Sequence, residues 1–154
     1  MIGVLLVVGC GSGGNGASGD SFVAATVDGV GWRVVGVGSV LTTAAGEPSL
    51  TILGYTPLPG STKQADTTKP MLDIVFSGVV PVAGSYDVAM TDSLTVMYMP
   101  DRSIIYGADT GNVTITTITS SMVEGTFAFS GSALGVAQAL AVSEGSFHVT
   151  VTRL

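Results

Sequence analysis

The sequence predicts an all-β protein: an antiparallel meander of about ten short strands that forms a β-sandwich or an up-and-down barrel. Three observations predict it. Charged residues are only 10% of the chain, against about 25% in average soluble proteins, and Gly, Thr, Ser and Val fill much of the rest. From residue 21 onward, short runs rich in β-branched and aromatic residues alternate apolar with polar positions. Nearly every run is separated from the next by a short turn signal, so neighbours should pair antiparallel. Such a series has to close or fold over, because an open sheet leaves unpaired edges.

The elements follow in order. Val23, Ala25 and Val27 alternate towards Asp28-Gly29, a hairpin-turn dipeptide, and Trp32 opens a second run that ends at Ala44-Ala45-Gly46-Glu47-Pro48. Residues 50–55 read as a third strand closed by Pro57 and Pro59, and the polar segment 58–70 is long enough to be a lid or flap. Residues 71–77 place Leu72, Ile74 and Phe76 on one face, and strands over 86–90 and 94–99 follow. Pro100-Asp101-Arg102 turns the chain into 103–106, and Ala108-Asp109-Thr110-Gly111 turns it again. Val113 and Ile115 then face inward while Thr114 and Thr116 face out. Val123, Phe127 and Phe129, then Phe147, Val149 and Val151, form the last inward rows. Residues 133–142 suit a short helix as well as a hairpin. Met90, Met97 and Met99 read as fillers of core gaps, or as a greasy binding surface.

One pattern recurs. Gly84-Ser85-Tyr86-Asp87-Val88, Gly125-Thr126-Phe127-Ala128-Phe129 and Gly145-Ser146-Phe147-His148-Val149 each read glycine, hydroxyl, aromatic, any residue, apolar. The glycine permits a bulge or a close approach at a strand start, and the aromatic then fills the core.

The 154 residues suit one domain, able to bury roughly 68–70% of the surface its unfolded chain exposes. That domain spans 21–154. Ahead of it, residues 2–8 are apolar and lead to Val7-Val8-Gly9-Cys10, which resembles a bacterial lipobox, the site where a cysteine receives diacylglycerol and becomes the mature N-terminus. Residues 1–9 are thus read as a lipoprotein signal peptide, and residues 10–20 as the lipidated Cys10 and a Gly/Ser tether. No Lys or Arg precedes the apolar run, which places the start codon upstream of Met1 in this reading. Seven apolar residues are far short of the roughly 20 that span a bilayer. Gly11 after the cysteine, in place of an acidic residue, resembles the pattern sorted onward to the outer membrane.

Charge narrows the function classes. The net charge is −6, and the five basic residues, Arg33, Lys63, Lys69, Arg102 and Arg153, are scattered singly. That excludes nucleic acid, which needs clustered cations, and electrostatic docking on anionic lipid. One cysteine excludes an internal disulfide framework. Asp109-Thr110-Gly111 matches the tripeptide of aspartic proteases, whose two aspartates share a proton across a dimer. Its flanks, Gly107, Ala108 and Asn112, depart from that pattern, and a turn uses the same residues for their geometry. Gly19-Asp20-Ser21-Phe22 resembles an esterase nucleophile block but sits at the tether and lacks an Asp-x-x-His partner. The single histidine, His148, alternates out of phase with Phe147 and Val149 and so points away from the core. Asp66, Asp73, Asp87, Asp92, Asp101 and Asp109 have no calcium-loop spacing and read as turn or solubilising residues. No cofactor and no metal is expected.

Read together, the Ala25-x-Val27-x-Gly29-x-x-Trp32 element, Gly84-x-Tyr86, Tyr98 and Tyr106, the strand from Gly111 to Thr116, and the closing Gly125–Phe129 and Gly145–Val149 motifs carry a resemblance. In this order they look like a family of small uncharacterised bacterial surface lipoproteins. Val23 stands where that family usually has an aromatic, with Phe22 one residue away. The resemblance implies an all-β lipoprotein and supplies no activity.

The function expected is therefore non-enzymatic: a monomeric β-domain displayed on the outer membrane or cell surface through Cys10, with Trp32, Tyr86, Tyr98 and Tyr106 as candidate ligand contacts. The alternative is a barrel that carries a small apolar ligand. A remote alternative is an aspartic-type hydrolase using Asp109.

Overall fold

The computed structural model describes residues 21–35, 38–44, 46–61 and 64–153. They form β1 (Phe22–Val27), β2 (Val30–Val35), β3 (Gly38–Ala44), β4 (Glu47–Tyr55), β5 (Met71–Phe76), β6 (Gly84–Asp87), β7 (Leu94–Asp101), β8 (Ile104–Ile118), β9 (Met122–Ser132) and β10 (Leu140–Arg153). The described residues contain no helix. The all-β expectation holds, and residues 133–142 become a loop and the first residues of β10.

The Asp28-Gly29 turn behaves as its composition demands. Both residues have positive φ, 47° and 81°, which matches the right-handed twist of the flanking strands in a two-residue hairpin. Asp28 is then pinned to β10: its N–H donates to the Ala141 carbonyl at 2.8 Å, and its Oδ1 accepts from the Ala141 N–H at 2.9 Å.

The pairings run β3–β4–β5–β7–β8–β9–β10 and return from β10 to β3. This circuit makes the sheet barrel-like. Its strands are strongly staggered: a walk that leaves β10 at Thr150 comes back beside Leu140, near the strand's other end. Two long strands each serve two partners on one edge. β10 holds β1 along Val142–His148 and β3 along Thr150–Arg153. β8 holds β7 along Ile104–Gly107 and β6 along Asn112–Ile115.

Several expectations need correcting. The run after Trp32 is two strands, β2 and β3, because the first pairs β1 and the second moves on to β10 and β4. Pro48 does not end that run; it lies inside β4. The β3–β10 pair is parallel, since closure joins an early strand to the last one instead of joining sequence neighbours. Ala108-Asp109-Thr110-Gly111 is no turn but part of the fifteen-residue β8. The extra residue is absorbed as a bulge between Ala108 and Thr110. Met97 and Met99 sit in alternation with the buried Val96 and Tyr98, so they face outward, and Met90 is 82% exposed.

The interior is one cluster that includes Val23, Ile52, Ile74, Phe76, Val113, Ile115, Phe127, Phe129, Phe147 and Val149. The recurring glycine motif accounts for its densest part. Gly125 pairs with Phe147 and Gly145 with Phe127 across β9 and β10. A Cβ on Gly125 would meet the Phe147 ring at 2.5 Å, and one on Gly145 would meet the Phe127 ring at 2.5 Å. Each glycine is the seat of the other motif's aromatic, and the two rings lie 6.3 Å apart at 20°. Gly84 differs, since a Cβ there would meet open space.

Candidate functional site

The turn at Asp28-Gly29, the β4–β5 loop, the β7–β8 turn and the β9–β10 loop gather at one end of the barrel, because antiparallel pairing fixes which strand ends are neighbours. Three of the four candidate aromatics collect there. Tyr98 and Tyr106 stand opposite each other across β7 and β8. Trp32 meets Tyr98 edge-on, with ring centroids 6.1 Å apart and planes at 86°. Tyr98 is buried, while Trp32 and Tyr106 are half-buried against the core. Burial, then the Asp28 carboxylate, push the Tyr98 phenol above its usual pKa.

Trp32 also fills a seam. β2 pairs with β1 alone among the described strands, so no strand pairing joins it to β4 there. Gly54 on β4 leaves the room: a Cβ there would lie 2.9 Å from Trp32 Cη2 and 3.0 Å from Val23 Cβ. The indole therefore closes the wall by packing where backbone pairing stops. Tyr86 is elsewhere. Its ring packs on Phe76 with centroids 5.0 Å apart, and its hydroxyl both accepts from the Val82 N–H at 2.9 Å and donates to the Val82 carbonyl at 2.8 Å. It is a clamp on the β5–β6 loop.

A second cluster was not foreseen. On the outward face of β2, β1, β10 and β9, the Arg33 guanidinium lies 4.0 Å from the Phe22 ring centroid, and Phe22 stacks on His148 with centroids 6.2 Å apart. His148 Nδ1 is 2.6 Å from Glu124 Oε1. The outward direction expected for His148 holds, and on that face Phe22 and Glu124 flank it. Glu144, the carboxylate nearest in sequence, instead accepts from the Thr26 hydroxyl at 3.0 Å. Only cross-strand register brings these groups together, through Phe22 opposite His148 and His148 opposite Glu124.

The aspartates divide as turn chemistry dictates, with one exception. Asp66 and Asp101 accept bonds from Thr68 and Ser103, which hold their carboxyls below the usual range, and Asp87 accepts from the Ala89 N–H at 2.8 Å. Asp73 is the exception. It projects from the outward face of β5, between Leu53 and Met97, and its Oδ1 is buried with no hydrogen-bond partner. Burial pushes its carboxyl up to about 6.

Asp109 is exposed at the β8 bulge, in a strand and not in a protease-type loop. A shallow groove of about 330 Å³ runs beside it, lined by Thr110, Asn112, Phe129, Ser130 and Ser143 among others. Among the described residues no three His, Cys, Asp or Glu side chains converge as metal ligands. Cys10 and the tether lie outside the described residues. No family model, curated protein or solved structure matches the chain.

Proposed function

We propose that this chain is an exported bacterial lipoprotein, anchored in the outer membrane or cell surface through Cys10, whose β-domain binds a partner and catalyses nothing. The observation that supports it best is the opposition of two ends. Residue 21 leads into β1 at one end of the barrel, directly after the lipobox-like Val7-Val8-Gly9-Cys10 and its Gly/Ser tether. The Trp32, Tyr98 and Tyr106 group lies at the other end, to which β1 runs. A tethered domain would then hold its aromatic end, with the exposed Val30, Leu58 and Leu134 around it, away from the bilayer. Aromatic groups of this kind are enriched at binding surfaces because they bury large area with little entropy loss.

The carrier reading draws on one feature, the β2–β4 seam, where Trp32 packs over Gly54 and no strand pairing is found among the described residues. The filled interior, with Phe76, Phe127, Phe129 and Phe147 buried, favours display over carriage.

Cell fractionation after feeding an alkyne-bearing fatty acid tests the anchor. The full chain should carry the label and sediment with membranes, and Cys10→Ser should lose both. A Cys10→Ser chain that stays in the membrane fraction, beside an unlabelled parent, would overturn the reading.

A further inference from the structure

The end of the barrel where β1 begins carries a surface of its own. Residues 77–83 connect β5 to β6 across that end, with the sequence Ser-Gly-Val-Val-Pro-Val-Ala. Pro81 is buried, and its neighbours point the other way: Val79 is 39% exposed, Val80 37% and Val82 70%. Three valines within four residues, all partly or largely exposed, are unfavourable in a loop that could have been polar. They are also held there. The Tyr86 hydroxyl takes both backbone groups of Val82, and the Tyr86 ring is fixed on Phe76. At the other end of the loop, the Ser77 N–H donates to the Ser93 carbonyl at 2.8 Å. The loop is thus a braced, outward-facing apolar ridge.

We propose that residues 77–83 are a membrane foot, which seats Val79, Val80 and Val82 in the interface of the bilayer that holds the lipid anchor. This rests on the anchored-lipoprotein reading. Two observations select a bilayer as the occupant. The chain passes into β1 at Phe22 on this same end, and the eleven peptide steps from Cys10 to Ser21 can span at most about 40 Å, so this end lies within that reach of the surface that holds Cys10. The charge pattern agrees: residues 77–83 carry no charged side chain, and a carboxylate, Glu47, lies beside Gly78. An uncharged ridge next to an acidic group suits a zwitterionic interface, entered by apolar burial and not by cation–headgroup attraction. The foot would fix how the domain stands, with the Trp32, Tyr98 and Tyr106 end outward.

The test anchors the protein chemically, so that it does not depend on lipidation in the cell. The full chain is coupled through Cys10 to a maleimide-bearing phospholipid in phosphatidylcholine vesicles whose acyl chains carry bromine, a contact quencher of tryptophan. Val82→Trp places a reporter on the ridge and Leu134→Trp places one at the opposite end, with Trp32 as common background; circular dichroism confirms that both variants fold. Apolar groups at an interface sit about 5–10 Å into the headgroup and acyl boundary, so emission added by Val82→Trp should fall about twofold on bromination while that of Leu134→Trp is unchanged. Equal emission with and without bromine at Val82→Trp, or quenching at Leu134→Trp, would overturn the foot. A failed fatty-acid labelling in cells would instead sink the lipoprotein reading and leave this result standing as a property of the ridge.

Discussion

Asp73 shows what one side chain can cost. A carboxyl on the outward face of a sheet normally meets water; this one sits between Leu53 and Met97 with Oδ1 unpartnered. Its folded-state pKa, about 6, stands above the ordinary 3.8, so the folded protein holds the proton more tightly than the unfolded chain. The stability it contributes is full below about pH 4 and is lost as pH rises through about 6. A shift of this size corresponds to about 3 kcal/mol. Urea unfolding of the parent should therefore weaken across that window, and Asp73→Asn should remove that part of the slope and be more stable by about 1–3 kcal/mol at neutral pH. Identical slopes in parent and variant would show that the carboxyl is not desolvated. Sequence offered no sign of this. Leu72, Ile74 and Phe76 fix which face of β5 is inward, but an aspartate in the opposite phase reads as solvated until the neighbours from β4 and β7 are known.

At the scale of elements, the reciprocal glycine–phenylalanine seats of β9 and β10 are the most legible feature of the fold. The repeated motif already coupled a glycine to an aromatic two residues on; register supplied the partner, which is the other copy of the motif. Gly125→Ala and Gly145→Ala should each cost about 1–3 kcal/mol in thermal or urea unfolding, because the new methyl meets a ring or a carbonyl that cannot retreat. Gly31→Ala, where a Cβ meets nothing within 4 Å, should stay within about 0.5 kcal/mol of the parent. Comparable losses at all three would mean that packing against the two phenylalanine rings does not set the cost. Bulges were less legible. The Asp109 bulge has the composition of a turn, and only the continuous pairing of β8 with β9 shows that the chain keeps its direction. The Tyr86 clamp was hidden for a related reason: Gly-x-Tyr marks a strand start, while the backbone that the hydroxyl holds lies in the loop before it.

For the whole molecule, strand content and inward rows were readable from alternation, and closure was readable from the number of strands. The route of closure was not. Short connections say that neighbours in sequence pair antiparallel, and they are silent on β10, which joins β1, β3 and β9 and brings the first and last of the described strands together. That route has a functional consequence, because it decides which loops share an end with the point where β1 begins. It places the β5–β6 ridge at the end where β1 begins and the Trp32, Tyr98 and Tyr106 group at the other. The aromatics were legible as candidates, yet their grouping, and the separation of Tyr86 from the other three, depended on stagger that no local pattern encodes. The central claim is that this arrangement hangs from a lipid on Cys10. Intact-mass analysis of the protein extracted from the membranes of a bacterium expressing the full gene tests it most directly. The account predicts a mature chain that begins at Cys10 and carries the mass of an acylated diacylglyceryl group. A chain that retains residues before Cys10, or begins there with no added lipid mass, would contradict it.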